Sequence, residues 1–158
     1  MKKTRPSLLA AAVLLAGAAS PFAAAAYDVG QALSPAELSA LAAATRYDVA
    51  GTVLTPLPGG TAVDADGRPT TMVANATGAV GLSRNEVRIA QWPTDSVRAR
   101  AGTLLAGATW VQYTDHTQTT RVRYASFAEA VKAYRQLQAA LPQASVALPV
   151  EFNQRRSR

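Results

Sequence analysis

Residues 85–152 read NEVRIAQWPTDSVRARAGTLLAGATWVQYTDHTQTTRVRYASFAEAVKAYRQLQAALPQASVALPVEF, and the order in which their apolar spacing changes decides the fold. Glu86 to Trp92 alternates with period two and stops at Pro93, which predicts a strand. Ser83-Arg84-Asn85-Glu86 also has the form of a capping box, so a helical alternative starts at the same place. From Thr94, apolar residues recur at Val97, Ala101, Leu104 and Leu105, one face of a helix that Gly107 suits as an end. Trp110 to Thr114 is extended, Asp115-His116-Thr117-Gln118 turns, and Thr119 to Tyr124 returns as a hairpin partner. Ser126-Phe127-Ala128-Glu129 predicts a capping box, opening a helix with Phe127, Ala130, Val131, Tyr134, Leu137 and Leu141 on one stripe. Pro142 ends it, and Val146, Leu148, Val150 and Phe152 alternate in a final strand. Strand, helix, strand, strand, helix, strand is the split βαβ order, so the expected class is α+β with a ferredoxin-like C-terminal domain. Pro149 cannot donate to a ladder, which agrees with the last strand of that fold being an edge.

Working outward, residues 27–84 predict an N-terminal helix followed by an extended or hairpin extension. Ser34-Pro35-Ala36-Glu37 combines a capping box with proline at the first helical position. From Tyr47 the chain turns extended, punctuated by Pro56-Leu57-Pro58-Gly59-Gly60 and Asp66-Gly67. Residues 1–26 have the form of a cleaved export signal: Lys2, Lys3 and Arg5, then an apolar run from Leu8 to Ala19, then Ala23 to Ala26 as small residues for a peptidase. The apolar run is shorter than the ~20 residues that span a bilayer. The predicted organisation is therefore signal 1–26, helix and extended segment 27–84, ferredoxin-like domain 85–152 and basic tail 153–158.

The formal net charge of +6 suggests nucleic acid, but its distribution removes that inference. Of the 16 basic residues, Lys2, Lys3 and Arg5 lie in the signal, and Arg155, Arg156 and Arg158 in the tail. The remaining ten face ten acidic residues. No cysteine is present, so disulfides, thiol chemistry and a lipoprotein anchor are excluded. After the signal, twelve arginines stand against one lysine (Lys132), which hints at a GC-rich bacterial source. The expectation is a periplasmic or secreted bacterial protein with no stable membrane insertion once the signal is removed.

Several segments resemble the propeptides of secreted subtilisin-like serine proteases and their stand-alone inhibitor relatives. Asn85 to Ile89 is similar to the opening strand of that family, and Ala101 to Trp110 (AGTLLAGATW) to its first helix running through glycine into a strand. Arg121 to Tyr124 resembles its third strand, and Leu137 to Glu151 (LQAALPQASVALPVE) its helix, proline and closing strand. A protease precursor continues into a catalytic domain, whereas this chain ends at Arg158, so the resemblance implies a free-standing module acting in trans. It further implies docking through the open sheet face, with the tail from Pro149 to Arg155 laid in a substrate cleft. There Phe152 would fill a specificity pocket and Glu151 would match the family's acidic residue.

The residues themselves give the same surface. Two helices on one face turn Val87, Ile89, Val111, Tyr113, Val122, Tyr124, Val146, Leu148 and Val150 inward. The open face then carries Glu86, Arg88, Trp110, Gln112, Arg121, Arg123 and Glu151, with Arg88 neighbouring Arg121 and Arg123. The candidate binding residues are Arg88, Trp110, Gln112, Arg121, Arg123, Pro149, Val150, Glu151 and Phe152. The expected partner is a protein, either a subtilisin-like protease or an exported envelope protein served by a periplasmic accessory module. The strands lack the central aromatics on which RNA-binding sheets stack bases, so no nucleic acid is expected. No enzymatic role, cofactor or metal is expected either. His116 is the only histidine, and no Gly-x-Ser-x-Gly elbow occurs. One histidine without cysteine supplies too few zinc ligands. Asp64-Ala65-Asp66-Gly67 lacks the remaining ligands of an EF-hand and reads as a turn.

Overall fold

The computed structural model describes residues 27–153; the predicted signal and the basic tail beyond Asn153 lie outside the described residues. The protein is mixed α+β, with two antiparallel sheets and three α-helices among the described residues. Residues 27–84 hold α1 (Pro35–Ala40) and four strands: β1 (Tyr47–Val49), β2 (Thr52–Val63), β3 (Pro69–Asn75) and β4 (Val80–Ser83). The reciprocal cap of α1 is formed, with Ser34 Oγ accepting from the Glu37 amide and Glu37 accepting from the Ser34 amide at 2.7 Å. Ala50 and Gly51 both take positive φ between β1 and β2, the geometry of a two-residue hairpin whose twist suits antiparallel strands. Pro56 to Gly60 lie inside β2, where the register against β3 shifts. Two prolines that cannot donate are tolerated at such an irregularity.

The rest of the chain forms β5 (Glu86–Ala90), α2 (Thr94–Ala101), β6 (Trp110–Thr114), β7 (Thr119–Arg123), α3 (Phe127–Ala140), β8 (Ser145–Ala147) and β9 (Val150–Glu151). β5 to β8 make a four-stranded sheet ordered β6-β7-β5-β8, and β1 to β4 with β9 make a second, five-stranded sheet ordered β1-β2-β3-β4-β9. Helix α2 tightens into a 3₁₀ turn from Gly102 to Leu105, which keeps Val97, Ala101 and Leu105 buried. At the start of α3, Ser126 caps the Glu129 amide at 3.3 Å.

One apolar core joins the two sheets: Val49, Leu54 and Val73 pack with Val87, Ile89, Val122, Phe127, Val131 and Leu137. Tyr47 meets Phe127 edge-on, with ring centroids 5.6 Å apart, tying β1 to α3. Removing each such side chain from water contributes about 1.5–3 kcal/mol.

Two expectations are corrected. The final strand does not run unbroken from Val146 to Phe152. It stops at Ala147, leaves that sheet through Leu148-Pro149, and resumes as β9 in the other sheet, opposite Leu82 and Ser83. Proline supplies the break because it offers no ladder donor at the point where the chain changes sheets. Phe152 is consequently not free: it packs on the core, and a Cβ at Gly81 would stand 2.8 Å from its ring. Secondly, the face opposite the helices is not open throughout. Glu86 and Arg123 are each only 3% exposed, because the turn between β2 and β3 brings Asp64 against Arg123 and Arg68 over Trp110.

Candidate functional site

Period-two alternation puts Glu86 and Arg88 on one face of β5, and Arg121 and Arg123 on the same face of β7. Antiparallel register then sets Glu86 opposite Arg123 and Arg88 opposite Arg121. Arg121 grips Glu86 with both arms of its fork, Nε to Oε1 at 2.9 Å and Nη2 to Oε2 at 2.8 Å. Arg123 Nε adds a third bond to Oε2 at 3.3 Å, while its Nη1 reaches Asp64 Oδ2 at 2.6 Å. Asp64 also accepts from the Asp66 and Arg68 amides through Oδ1, at 3.0 and 2.9 Å. The bond from Arg123, with that from the Arg68 amide, lowers the Asp64 carboxyl to about 2. Burial opposes ionisation of Glu86, but hydrogen bonds and charge from Arg121 and then Arg123 outweigh it, leaving this carboxyl below its ordinary range. Glu86 in turn raises the Arg121 guanidinium.

Beside this closed cluster lies a cleft of about 200 Å³, lined by Leu82, Arg84, Glu86, Arg88, Arg121, Pro149 and Glu151. It sits where the chain crosses between sheets twice, at Arg84-Asn85 on entry and at Leu148-Pro149 on exit. The entry is sharp because Asn85 adopts a positive φ of 52° and its amide bonds to Ser83 Oγ at 3.1 Å. Pairing of β4 with β9 holds the two crossings side by side. Arg84 and Arg88 are nearly half exposed and contact carboxylates only at a distance, Arg84 to Glu151 at 3.6 Å and Arg88 to Glu86 at 3.7 Å.

Of the residues singled out from sequence, the cleft unites Arg88, Arg121, Pro149 and Glu151. Trp110 adjoins it but is capped by guanidiniums: Arg68 stands 4.4 Å from the ring centroid, Arg123 5.8 Å and Arg121 5.9 Å. Arg123 is buried in the cluster rather than offered to a partner. Gln112 is exposed on β6 and does not line the cleft. Val150 and Phe152 line a separate, largely apolar cavity of about 280 Å³ with Val49, Leu54, Tyr134 and Leu148. Sequence reasoning missed Arg84, hidden in the apparent capping box, and the partnership of Asp64 with Arg123, which a turn motif does not reveal. His116 is exposed in a 3₁₀ turn, and the neighbouring Asp115 carboxylate accepts a bond from the Thr94 hydroxyl. Among the described residues no group of three or more His, Asp or Glu could hold a metal ion. The chemistry the cleft offers is anion recognition by guanidinium groups. No family model, curated protein or solved structure matches this chain.

Proposed function

We propose that this chain is an exported, non-enzymatic protein-binding module that meets its partner at the arginine-lined cleft between its sheets. The observation carrying this reading is the convergence of Arg84, Arg88 and Arg121 with Pro149 and Glu151 on one open concavity. Charged fork donors on a rigid sheet favour recognition of a polar partner. The signal-like segment 1–26 supports export. No helix among the described residues is long and apolar enough to cross a membrane.

Residues 85–148 are read as a ferredoxin-like unit. The order β6-β7-β5-β8, antiparallel throughout and interleaved with α2 and α3, supports that assignment. Two partner readings remain distinct. An inhibitor or folding helper of a subtilisin-like protease would use its C-terminal segment as a substrate mimic. Here Val150 and Glu151 are paired with β4 and Phe152 is packed over Gly81, so those residues would first have to leave the sheet. These contacts favour the second reading, a periplasmic accessory module that docks an exported envelope protein through the cleft. The deciding experiment is an inhibition assay of the full chain against subtilisin-type proteases, run beside in-cell crosslinking in the producing bacterium. Inhibition at micromolar concentration selects the protease partner. Crosslinking to an envelope protein without inhibition selects the accessory role. Absence of both inhibition and crosslinking overturns the protein-binding reading.

A further inference from the structure

The charges bordering the cleft do not balance. Among the described residues, four guanidiniums (Arg84, Arg88, Arg121 and Arg123) meet three carboxylates (Asp64, Glu86 and Glu151) within ion-pair distance. Nor are the donors evenly used. Glu86 already accepts three guanidinium hydrogen bonds, so its 3.7 Å contact with Arg88 adds charge proximity and no bond. Glu151 stands 3.6 Å from Arg84 Nε, again beyond hydrogen-bond distance. Two guanidiniums lining the same cleft thus keep their fork geometry unspent, with one positive charge in excess.

We propose that the cleft is a carboxylate-binding site in which Arg84 and Arg88 grip one carboxylate of the partner. The deficit is a single negative charge, which suits a monoanion. Glu86 and Glu151 on the walls repel a dianion such as phosphate more strongly than they repel a carboxylate. A planar carboxylate also matches the guanidinium fork, and Leu82 and Pro149 give the carbon bearing it an apolar wall. The carboxylate comes either from an Asp or Glu side chain or from a polypeptide C-terminus; both present the same group. This assignment rests on the protein-binding reading above but is tested apart from it.

The test follows the arginine Nε–H resonances of the full chain by NMR during titration. The probes are a C-terminally amidated peptide with one internal glutamate, a free-C-terminus peptide without acidic residues, a neutral amidated peptide, and inorganic phosphate. At least one carboxylate peptide should move the Arg84 and Arg88 signals saturably, with affinity falling as salt rises, and the neutral peptide should not. Which carboxylate peptide acts identifies the source. Arg88→Gln should weaken that binding about tenfold, and Arg88→Lys should restore little of it, because a point charge lacks the fork. Arg84→Gln, at an equally accessible position, gives an independent second variant. Absence of a saturable shift, an equal response to the neutral peptide, or tighter binding of phosphate overturns the assignment. Partner crosslinking that persists without carboxylate binding removes the cleft assignment alone. Carboxylate binding without any partner supports the site and counts against the protein-binding role.

Discussion

Arg121 and Arg123 hold Glu86 and Asp64 in a closed set of hydrogen bonds, whereas Arg84 and Arg88, bordering the same cluster, touch carboxylates only at 3.6 and 3.7 Å. The two pairs share residue type and neighbourhood and differ in engagement: Arg123 is buried, and Arg121, still 35% exposed, spends its fork on Glu86. Arg123 is 3% exposed and reaches across 59 residues of sequence to the turn between β2 and β3. It therefore locks that turn onto the four-stranded sheet. The accessible pair does no comparable joining, so its charge is available to something outside the chain.

Removing Arg123 breaks this comparison most severely. Arg123→Met keeps the apolar stem but leaves the buried Glu86 short of one partner and the partly exposed Asp64 without its cation. Glu86 keeps the fork of Arg121, so the loss at that buried carboxylate is of a charged hydrogen bond, about 1.5–3 kcal/mol, and the chemical-denaturation midpoint should fall correspondingly. A loss under about 1 kcal/mol would show that the turn is held by apolar packing alone, and that the buried and accessible arginines do not differ in kind.

Acid attacks the same lock from the carboxylate side. Both carboxyls titrate below their ordinary range in the folded protein, so they bind fewer protons there than in the unfolded chain. Their contribution is complete above the ordinary values of 4.5 for Glu86 and 3.8 for Asp64. It is lost as pH falls through the folded values, which for Asp64 is about 2. Thermal unfolding followed across that range should show Tm declining on acidification. Arg123→Met should flatten the decline, since its carboxyls no longer meet that guanidinium. An identical acid response in the two proteins would separate the cluster from stability.

How much of this was legible before the structure depends on distance along the chain. Period two alone places Glu86, Arg88, Arg121 and Arg123 on one face, and each alternation is local. Their burial is not local, because it depends on Asp64 and Arg68 arriving from a hairpin whose strands contain Pro56, Pro58, Gly59 and Gly60. Those residues punctuate a sequence as turns; here the register shift within β2 accommodates them. The sheet change at Pro149 was equally hidden. Val146, Leu148, Val150 and Phe152 alternate as one strand, and nothing in that spacing distinguishes burial in one sheet from burial divided between two. The cleft was half visible, since Arg88, Arg121, Pro149 and Glu151 are surface-type residues on predicted strands. Arg84 was invisible because its role comes from the crossing that Asn85 makes with a positive φ.

The smallest expected effect is the most discriminating. Arg88 lies directly opposite Arg121 in the register of β5 and β7, and like charges facing across a strand pair destabilise it. Among the described residues its offsetting ion-pair contact is Glu86 at 3.7 Å, and the side chain is nearly half exposed, so solvent screens both terms. Arg88→Gln should therefore leave the denaturation midpoint unchanged or raise it slightly, within about 0.5 kcal/mol. A fall of more than about 1 kcal/mol would make Arg88 part of the lock and erase its difference from Arg123. A neutral or favourable shift, joined to a tenfold loss of carboxylate binding, would mean that the fold keeps this charge against its own stability. That is the pattern of a residue retained for what it binds rather than for what it holds together.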